Sequence, residues 1–131
     1  MDFLLHPRLA ADTAVISDWP LCRVLLMNDA RFPWLVLVPR KTGASELFDL
    51  GEAERVQLMS ELSRAAQQLK DIAAADKLNI AALGNIVPQL HWHVVARRRE
   101  DEAWPGPVWG SGAAIPYTDL NAALARFDAL T

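Results

Sequence analysis

Several features are scarce in this sequence of 131 residues, and each scarcity argues against a class of protein. Cys22 is the single cysteine, which excludes an internal disulfide and most zinc clusters. No apolar run approaches the roughly 20 residues that a membrane-spanning helix needs. The first residues lack the basic segment and the long apolar segment of a signal peptide. We therefore expect a soluble cytoplasmic protein with no membrane partner.

An excess of charge of either sign is also missing. The chain has 13 Lys and Arg against 16 Asp and Glu, a formal net charge of −3, which gives no case for nonspecific binding to nucleic acid. Its hydrophobic content of 52% with 22% charged residues is typical of a globular chain. The length predicts a single domain over residues 1–131.

The most informative stretch covers residues 88–97, whose side chains alternate in character. Alternation is the mark of a β-strand with two different faces. Gln89, His91 and His93 fall on one face, with alternate Cα atoms roughly 6.6 Å apart. The opposite face is apolar and can pack on a core. The strand therefore presents a row of nitrogen-bearing side chains.

Three interpretations of this row remain open from the residues alone. The simplest is a pair of solvated or hydrogen-bonded histidines. A metal site is the second, because histidine is the commonest metal ligand, although Gln89 is a poor one. A cupin-type metal site needs a further histidine on another strand, and none follows His93. The third is nucleophilic catalysis at phosphorus, because a neutral imidazole with a pKa of about 6.5 has a free lone pair.

The rest of the chain predicts an α+β fold. Apolar runs predict further strands over residues 13–17, 21–27, 34–38 and 78–83. With the histidine strand they give a mostly antiparallel sheet of about five strands, with one long helix packed on one face.

Apolar residues at spacings of three and four predict that long helix over residues 52–75. We expect it to pack through a face that includes Val56 and Met59, and to expose its charged residues, Glu61 among them. A second amphipathic helix is expected over residues 117–130.

Three motifs resemble one known family. The run Gln-Leu-His-Trp-His-Val-Val-Ala-Arg is similar to the histidine-triad (HIT) signature, with Gln89 where the first histidine would stand. Residues 24–40 resemble the family's strand, nucleoside-contacting turn and second strand. Trp34 stands where many relatives carry a small residue or histidine, and we expect it in the core or in a pocket wall. Trp104-Pro105-Gly106-Pro107 resembles the Trp-Pro-Pro-Gly tail of the nucleotide-binding branch. The resemblance covers residues 10–110.

The resemblance implies a HIT-like fold, a homodimer, and nucleotide hydrolysis or nucleotidyl transfer without a metal or cofactor. The substrate would be a nucleoside phosphoramidate or a dinucleoside polyphosphate. His91 would attack its α-phosphorus, His93 would donate a hydrogen bond to a phosphate oxygen, and a covalent nucleotidyl-histidine would form. Gln89 can donate a hydrogen bond but cannot shuttle a proton, so turnover is expected to be weakened. The alternative is a nucleotide-binding protein with little or no turnover.

The same resemblance implies a set of substrate-binding residues. Asn28 is the expected partner of the ribose hydroxyls, with Asp29 as the second choice. Asn85 lies on the loop that leads into the histidine strand and would contact phosphate, as would Arg97 from the face that carries the histidines. Trp104 belongs to an irregular aromatic segment that suits a pocket wall or an interface. In the family, the equivalent tail reaches across the homodimer.

Overall fold

A computed structural model of the chain describes residues 2–131 and has a five-stranded antiparallel sheet with helices on it. The strands are β1 (Thr13–Asp18), β2 (Cys22–Met27), β3 (Trp34–Pro39), β4 (Lys77–Ala81) and β5 (Trp92–Arg97), in the spatial order β1-β2-β3-β5-β4. The α-helices are α1 (Pro7–Asp12), α2 (Glu52–Ala73) and α3 (Leu120–Ala125), and short 3-10 turns cover Leu47–Asp49 and Asp128–Leu130. The α+β class and the antiparallel five-stranded sheet are confirmed.

The histidine strand lies inside the sheet, between β3 and β4. His93 pairs with Val36 on β3 and with Ala81 on β4. Strand β5 begins at Trp92, so Gln89 and His91 precede the regular strand. Strand neighbours on both sides hold the backbone of His93, and a rigid element of this kind positions side chains more precisely than a loop does.

Both faces of the sheet are covered. On one face, Val94 and Ala96 of β5 pack with Leu58, Leu62 and other buried residues of α2. On the other face, a second apolar cluster joins Val36, Val95 and Phe32 to Val108 of the C-terminal segment. The face predicted to present a polar row is therefore mostly enclosed, and its polar groups are buried among apolar residues.

Helix α2 agrees with the predicted bounds and buries Leu62, Leu69 and Ala73 of the predicted apolar face, but two other residues of that face are exposed. Val56 and Met59 are 68% and 65% exposed, whereas Glu61 is only 3% exposed. The Glu61 carboxylate accepts hydrogen bonds from the backbone N–H groups of Leu21 and Cys22, at 2.9 and 2.8 Å. A carboxylate with such partners can be buried, because they replace the hydrogen bonds of water. The assignment of Glu61 to a solvated face was wrong for this reason.

The two ends of the chain also differ from expectation. Helix α1 was not predicted. The predicted helix over residues 117–130 is shorter, since α3 runs only over Leu120–Ala125. Asp119 caps its N-terminus, because the Asp119 side chain accepts a hydrogen bond from the backbone N–H of Ala122. Within residues 2–131 no helix has both the length and the apolar character needed to cross a membrane.

Candidate functional site

A cavity of about 550 Å³ opens beside the two histidines of β5. Its walls are mostly apolar, with polar groups from His91, His93 and Asp29. The apolar wall consists of Met27, Trp34, Leu83, Ile86, Val87, Val108, Trp109 and Ala114. This size and this lining are those of a small-molecule site, in which a few polar groups orient a largely buried ligand.

His91 and His93 lie side by side, as the alternation predicted. Their ring centroids are 5.0 Å apart, the rings are inclined at 72°, and each residue is 6% exposed. His91 Nδ1 lies 2.7 Å from the carbonyl oxygen of Gln89. Because a carbonyl oxygen only accepts, Nδ1 of the neutral ring carries the hydrogen. The lone pair of His91 is therefore on Nε2, which can act as a nucleophile.

The His93 ring is enclosed by aromatic side chains. Its Nδ1 accepts a hydrogen bond from the indole N–H of Trp34 at 3.0 Å. The ring of Trp109 meets it edge to face, with centroids 5.4 Å apart. Burial, and secondarily the neighbouring His91, lower the pKa of His93 to about 4. His93 is therefore neutral at neutral pH.

The turn between β2 and β3 contributes Asp29, and not Asn28, to the cavity wall. Asn28 Oδ1 instead accepts from the backbone N–H of Tyr117 at 2.9 Å, so its side chain holds the C-terminal segment. Asp29 is 1% exposed and forms a bidentate pair with Arg31, whose Nη2 lies 2.8 Å from Asp29 Oδ2. Burial alone would raise the pKa of Asp29, but hydrogen bonds from Arg31 hold the pKa below its ordinary value.

Arg31 is a site residue that the sequence did not indicate. It lines the cavity and donates from Nη1 to the carbonyl oxygen of Ser111 at 2.8 Å. The pair of Asp29 and Arg31 thus ties the turn to the C-terminal segment that walls the cavity with Val108 and Trp109. This segment packs against its own chain, through contacts between residues far apart in sequence.

Comparisons with known proteins agree with this fold. The family model of the HIT domain matches residues 8–100. The chain belongs to the HIT domain family. A histidine triad protein from Bradyrhizobium japonicum is 49% identical, with 96% of each chain covered and a TM-score of 0.91. One from Marinobacter aquaeolei is 44% identical, with 99% of this chain and 96% of that chain covered and a TM-score of 0.95.

More distant HIT structures share the fold. A hypothetical histidine triad nucleotide-binding protein from Sulfolobus tokodaii is 14% identical, with 92% of this chain and 86% of that chain covered and a TM-score of 0.64. At that identity the likeness concerns the fold alone. No functionally curated protein matches this HIT protein in sequence.

Gln89, at the first position of the HIT motif, directs its side chain away from the cavity. Its Oε1 accepts from the backbone N–H of His6 at 2.8 Å, and its Nε2 donates to the carbonyl oxygen of Leu4 at 2.9 Å. The side chain therefore holds the N-terminal segment, whereas the backbone carbonyl of the same residue orients His91. Such contacts cannot be foreseen from a local motif.

Arg97 and Trp104 lie outside the cavity lining as well. Arg97 is 1% exposed, and its guanidinium donates to Asp101 at 2.9 and 3.0 Å and to Asn79 at 2.9 Å. Its guanidinium carbon lies 5.8 Å from the centre of the Trp104 ring, within the range of a cation–π contact. The structure places Arg97 in a structural network. Of the expected substrate-binding residues, Asn85 and the second-choice ribose residue Asp29 line the cavity together with both histidines.

A smaller cavity of about 130 Å³ is also lined by His91. Ser45, Glu46 and Trp92 contribute to its lining. His91 thus borders two spaces of unequal size. Within the part of the chain that the structure describes, no three His, Cys, Asp or Glu side chains lie close enough together to hold a metal ion.

Proposed function

We propose that this HIT protein is a nucleotide hydrolase or nucleotidyl transferase that acts at the α-phosphate of a nucleoside phosphoramidate or a dinucleoside polyphosphate. One observation carries the proposal. The hydrogen bond between His91 Nδ1 and the Gln89 carbonyl leaves the lone pair of Nε2 available, in a ring that borders a cavity of nucleoside size.

The reaction proceeds in two steps. His91 Nε2 attacks the α-phosphorus, a P–N bond to His91 forms, and the bond from phosphorus to the leaving group breaks, with the electron pair going to the leaving group. A phosphate leaving group departs as the anion, whereas the amine of a phosphoramidate takes up a proton from solvent. Water then attacks the nucleotidyl-histidine, the P–N bond breaks, and a nucleoside monophosphate is released with His91 restored. His93 donates a hydrogen bond to a phosphate oxygen and stabilises the charge that develops there.

The two cavities beside His91 suit the two parts of such a substrate. The larger one offers the rings of Trp34 and Trp109 to a nucleobase, Asp29 to the ribose and Asn85 to the phosphate. The smaller one has room for atoms of the leaving group. Because Gln89 supplies no proton, leaving groups that depart without acid assistance are favoured.

The test uses adenosine 5′-phosphoramidate and a diadenosine polyphosphate, each with a chelator present. We expect release of adenosine monophosphate from the wild type and its loss in His91→Ala. Calorimetry with adenosine monophosphate should still detect binding to that variant. Saturable binding without release from either substrate in the wild type would instead support the second candidate, a nucleotide-binding protein. The direction of Gln89 away from the cavity favours that candidate, since the first motif position then takes no part in proton transfer.

The proposal includes a homodimer paired through strand β4. This strand forms one edge of the sheet, and Ile80 on it is 44% exposed. An unpaired edge exposes backbone donors and acceptors that a second copy of the strand can pair. Light scattering should give twice the monomer mass, and a change of Ile80 to Lys should reduce it to the monomer mass. A monomeric wild type would refute this part of the proposal.

A further inference from the structure

Trp34 and His93 form a contact between neighbouring strands. Trp34 begins β3 and pairs with Val95 on β5, two residues beyond His93. The two side chains are 7% and 6% exposed, and their ring centroids lie 5.6 Å apart at an inclination of 63°. The indole N–H is directed at His93 Nδ1, with 3.0 Å between the nitrogens.

The chemistry of the two groups restricts the proton on His93. An indole nitrogen can only donate a hydrogen bond, so His93 Nδ1 has to accept with its lone pair. A neutral imidazole that accepts at one nitrogen carries its hydrogen on the other, which here is Nε2. A hydrogen on Nδ1 would place two donors against each other in a buried contact and leave both unpaired.

The neighbouring rings restrict rotation of the His93 ring. Trp109 packs against it edge to face at 5.4 Å and His91 at 5.0 Å, so the ring cannot turn over without displacing other aromatic groups. Among the residues that the structure describes, His93 Nε2 has no protein hydrogen-bond partner, and His93 lines the cavity. The Nε2–H group is thus the hydrogen-bond donor left for a ligand.

We infer that Trp34 is a positioning residue that fixes His93 as the Nε2–H tautomer and so makes it a permanent hydrogen-bond donor in the cavity. The neighbouring histidine has the opposite form, because a carbonyl acceptor holds the hydrogen of His91 on Nδ1. One backbone carbonyl and one indole N–H therefore distinguish two adjacent histidines, one as nucleophile and the other as donor. The role of the donor in turnover rests on the proposed function, whereas the tautomer itself does not.

Nitrogen NMR tests the tautomer without reference to activity. Long-range ¹H–¹⁵N correlation spectra of the wild type at neutral pH should show His93 with an unprotonated Nδ1 and a protonated Nε2. The same spectra of Trp34→Phe should show Nδ1 shifted towards a mixture of the two tautomers. Trp109→Phe is the matched control, since it alters another aromatic neighbour of the same ring without touching the hydrogen bond; its His93 should keep the wild-type tautomer.

A benzothienyl analogue of tryptophan at position 34 provides a second variant if Trp34→Phe does not fold. It keeps the shape of the indole and replaces the N–H with sulfur, so it should give the same shift in the spectrum. If turnover is present, kcat should fall in both variants with a much smaller change in KM. The largest expected decrease in kcat is the roughly 100- to 1,000-fold loss seen when a hydrogen-bond donor to the transition state is removed.

Two results would overturn the inference: a wild-type His93 with its hydrogen on Nδ1, or an unchanged tautomer after loss of the indole N–H. Absence of turnover with the expected tautomer would leave the inference in place and refute the proposed function alone.

Discussion

Gln89→His restores the first histidine of the HIT motif, and we expect it not to increase turnover. A new general acid could in principle contribute about 100- to 10,000-fold. However, the side chain at position 89 is directed at the backbone of Leu4 and His6, away from the cavity. We therefore expect kcat for the phosphoramidate to stay the same or to fall.

The same substitution should lower stability. It removes the two amide hydrogen bonds of Gln89, each contributing about 1 kcal/mol, and partial replacement by water leaves a loss of about 1 to 2 kcal/mol. For a chain of this length, that corresponds to a decrease in Tm of about 4 to 8 °C. Differential scanning calorimetry measures the decrease.

Gln89→Glu is the matched control. It keeps an acceptor for the N–H of His6 but loses the donor to the carbonyl of Leu4, so its Tm should also fall without any new acid in the cavity. If Gln89→His instead turned over substrate about 100-fold faster than the wild type, the assignment of this residue to the N-terminal segment would be refuted. An unchanged Tm in both variants would refute it as well.

Two further predictions concern groups buried near the site. The pKa of His93 is about 4 in the folded chain and about 6.5 in the unfolded chain. The contribution of neutral His93 to the free energy of unfolding is therefore complete above pH 6.5 and is lost as the pH falls towards 4. Urea denaturation at pH 7 and pH 4 should show a loss of about 3 kcal/mol that is absent in His93→Phe; equal losses in both proteins would contradict this. Arg97→Met leaves Asp101 and Asn79 without their donor and should cost about 3 to 5 kcal/mol in the free energy of unfolding, with little change in KM. A tenfold rise in KM at unchanged stability would instead place Arg97 at the phosphate.

Much of the fold and the centre of the site follow from local patterns. Alternation over residues 88–97 predicts that His91 and His93 share a face, and the sheet places their rings 5.0 Å apart. The apolar runs predict the other four strands, which are bounded by turn residues. Local patterns of apolar and polar residues are therefore sufficient to predict the strands and the shared face of the two histidines.

The remaining site residues depend on contacts between distant parts of the chain. Gln89 bonds to His6, 83 residues away, and Asn28 bonds to Tyr117, 89 residues away. No local pattern encodes such partners, so the motif alone assigned both side chains to the substrate. Glu61 shows the same limit, since only the backbone N–H groups of Leu21 and Cys22 make its burial favourable.

The enclosure of the sheet face that carries the histidines also depends on contacts between distant parts of the chain. The segment that carries Val108 and Trp109 has no regular periodicity, and its position is fixed by Arg31 through the Ser111 carbonyl. Its amino-acid content predicted a wall or an interface but could not decide between them. In the folded chain its Val108 and Trp109 line the cavity.

The most direct test of the proposed function is detection of the covalent intermediate. The protein is mixed with adenosine 5′-phosphoramidate in the presence of a chelator, quenched within milliseconds, and analysed by mass spectrometry at neutral or alkaline pH. We expect an adenylyl adduct on the peptide that contains His91, attached to that residue and absent from His91→Ala. Release of adenosine monophosphate with no adduct on His91 in the wild type, or an adduct that persists in His91→Ala, would contradict it.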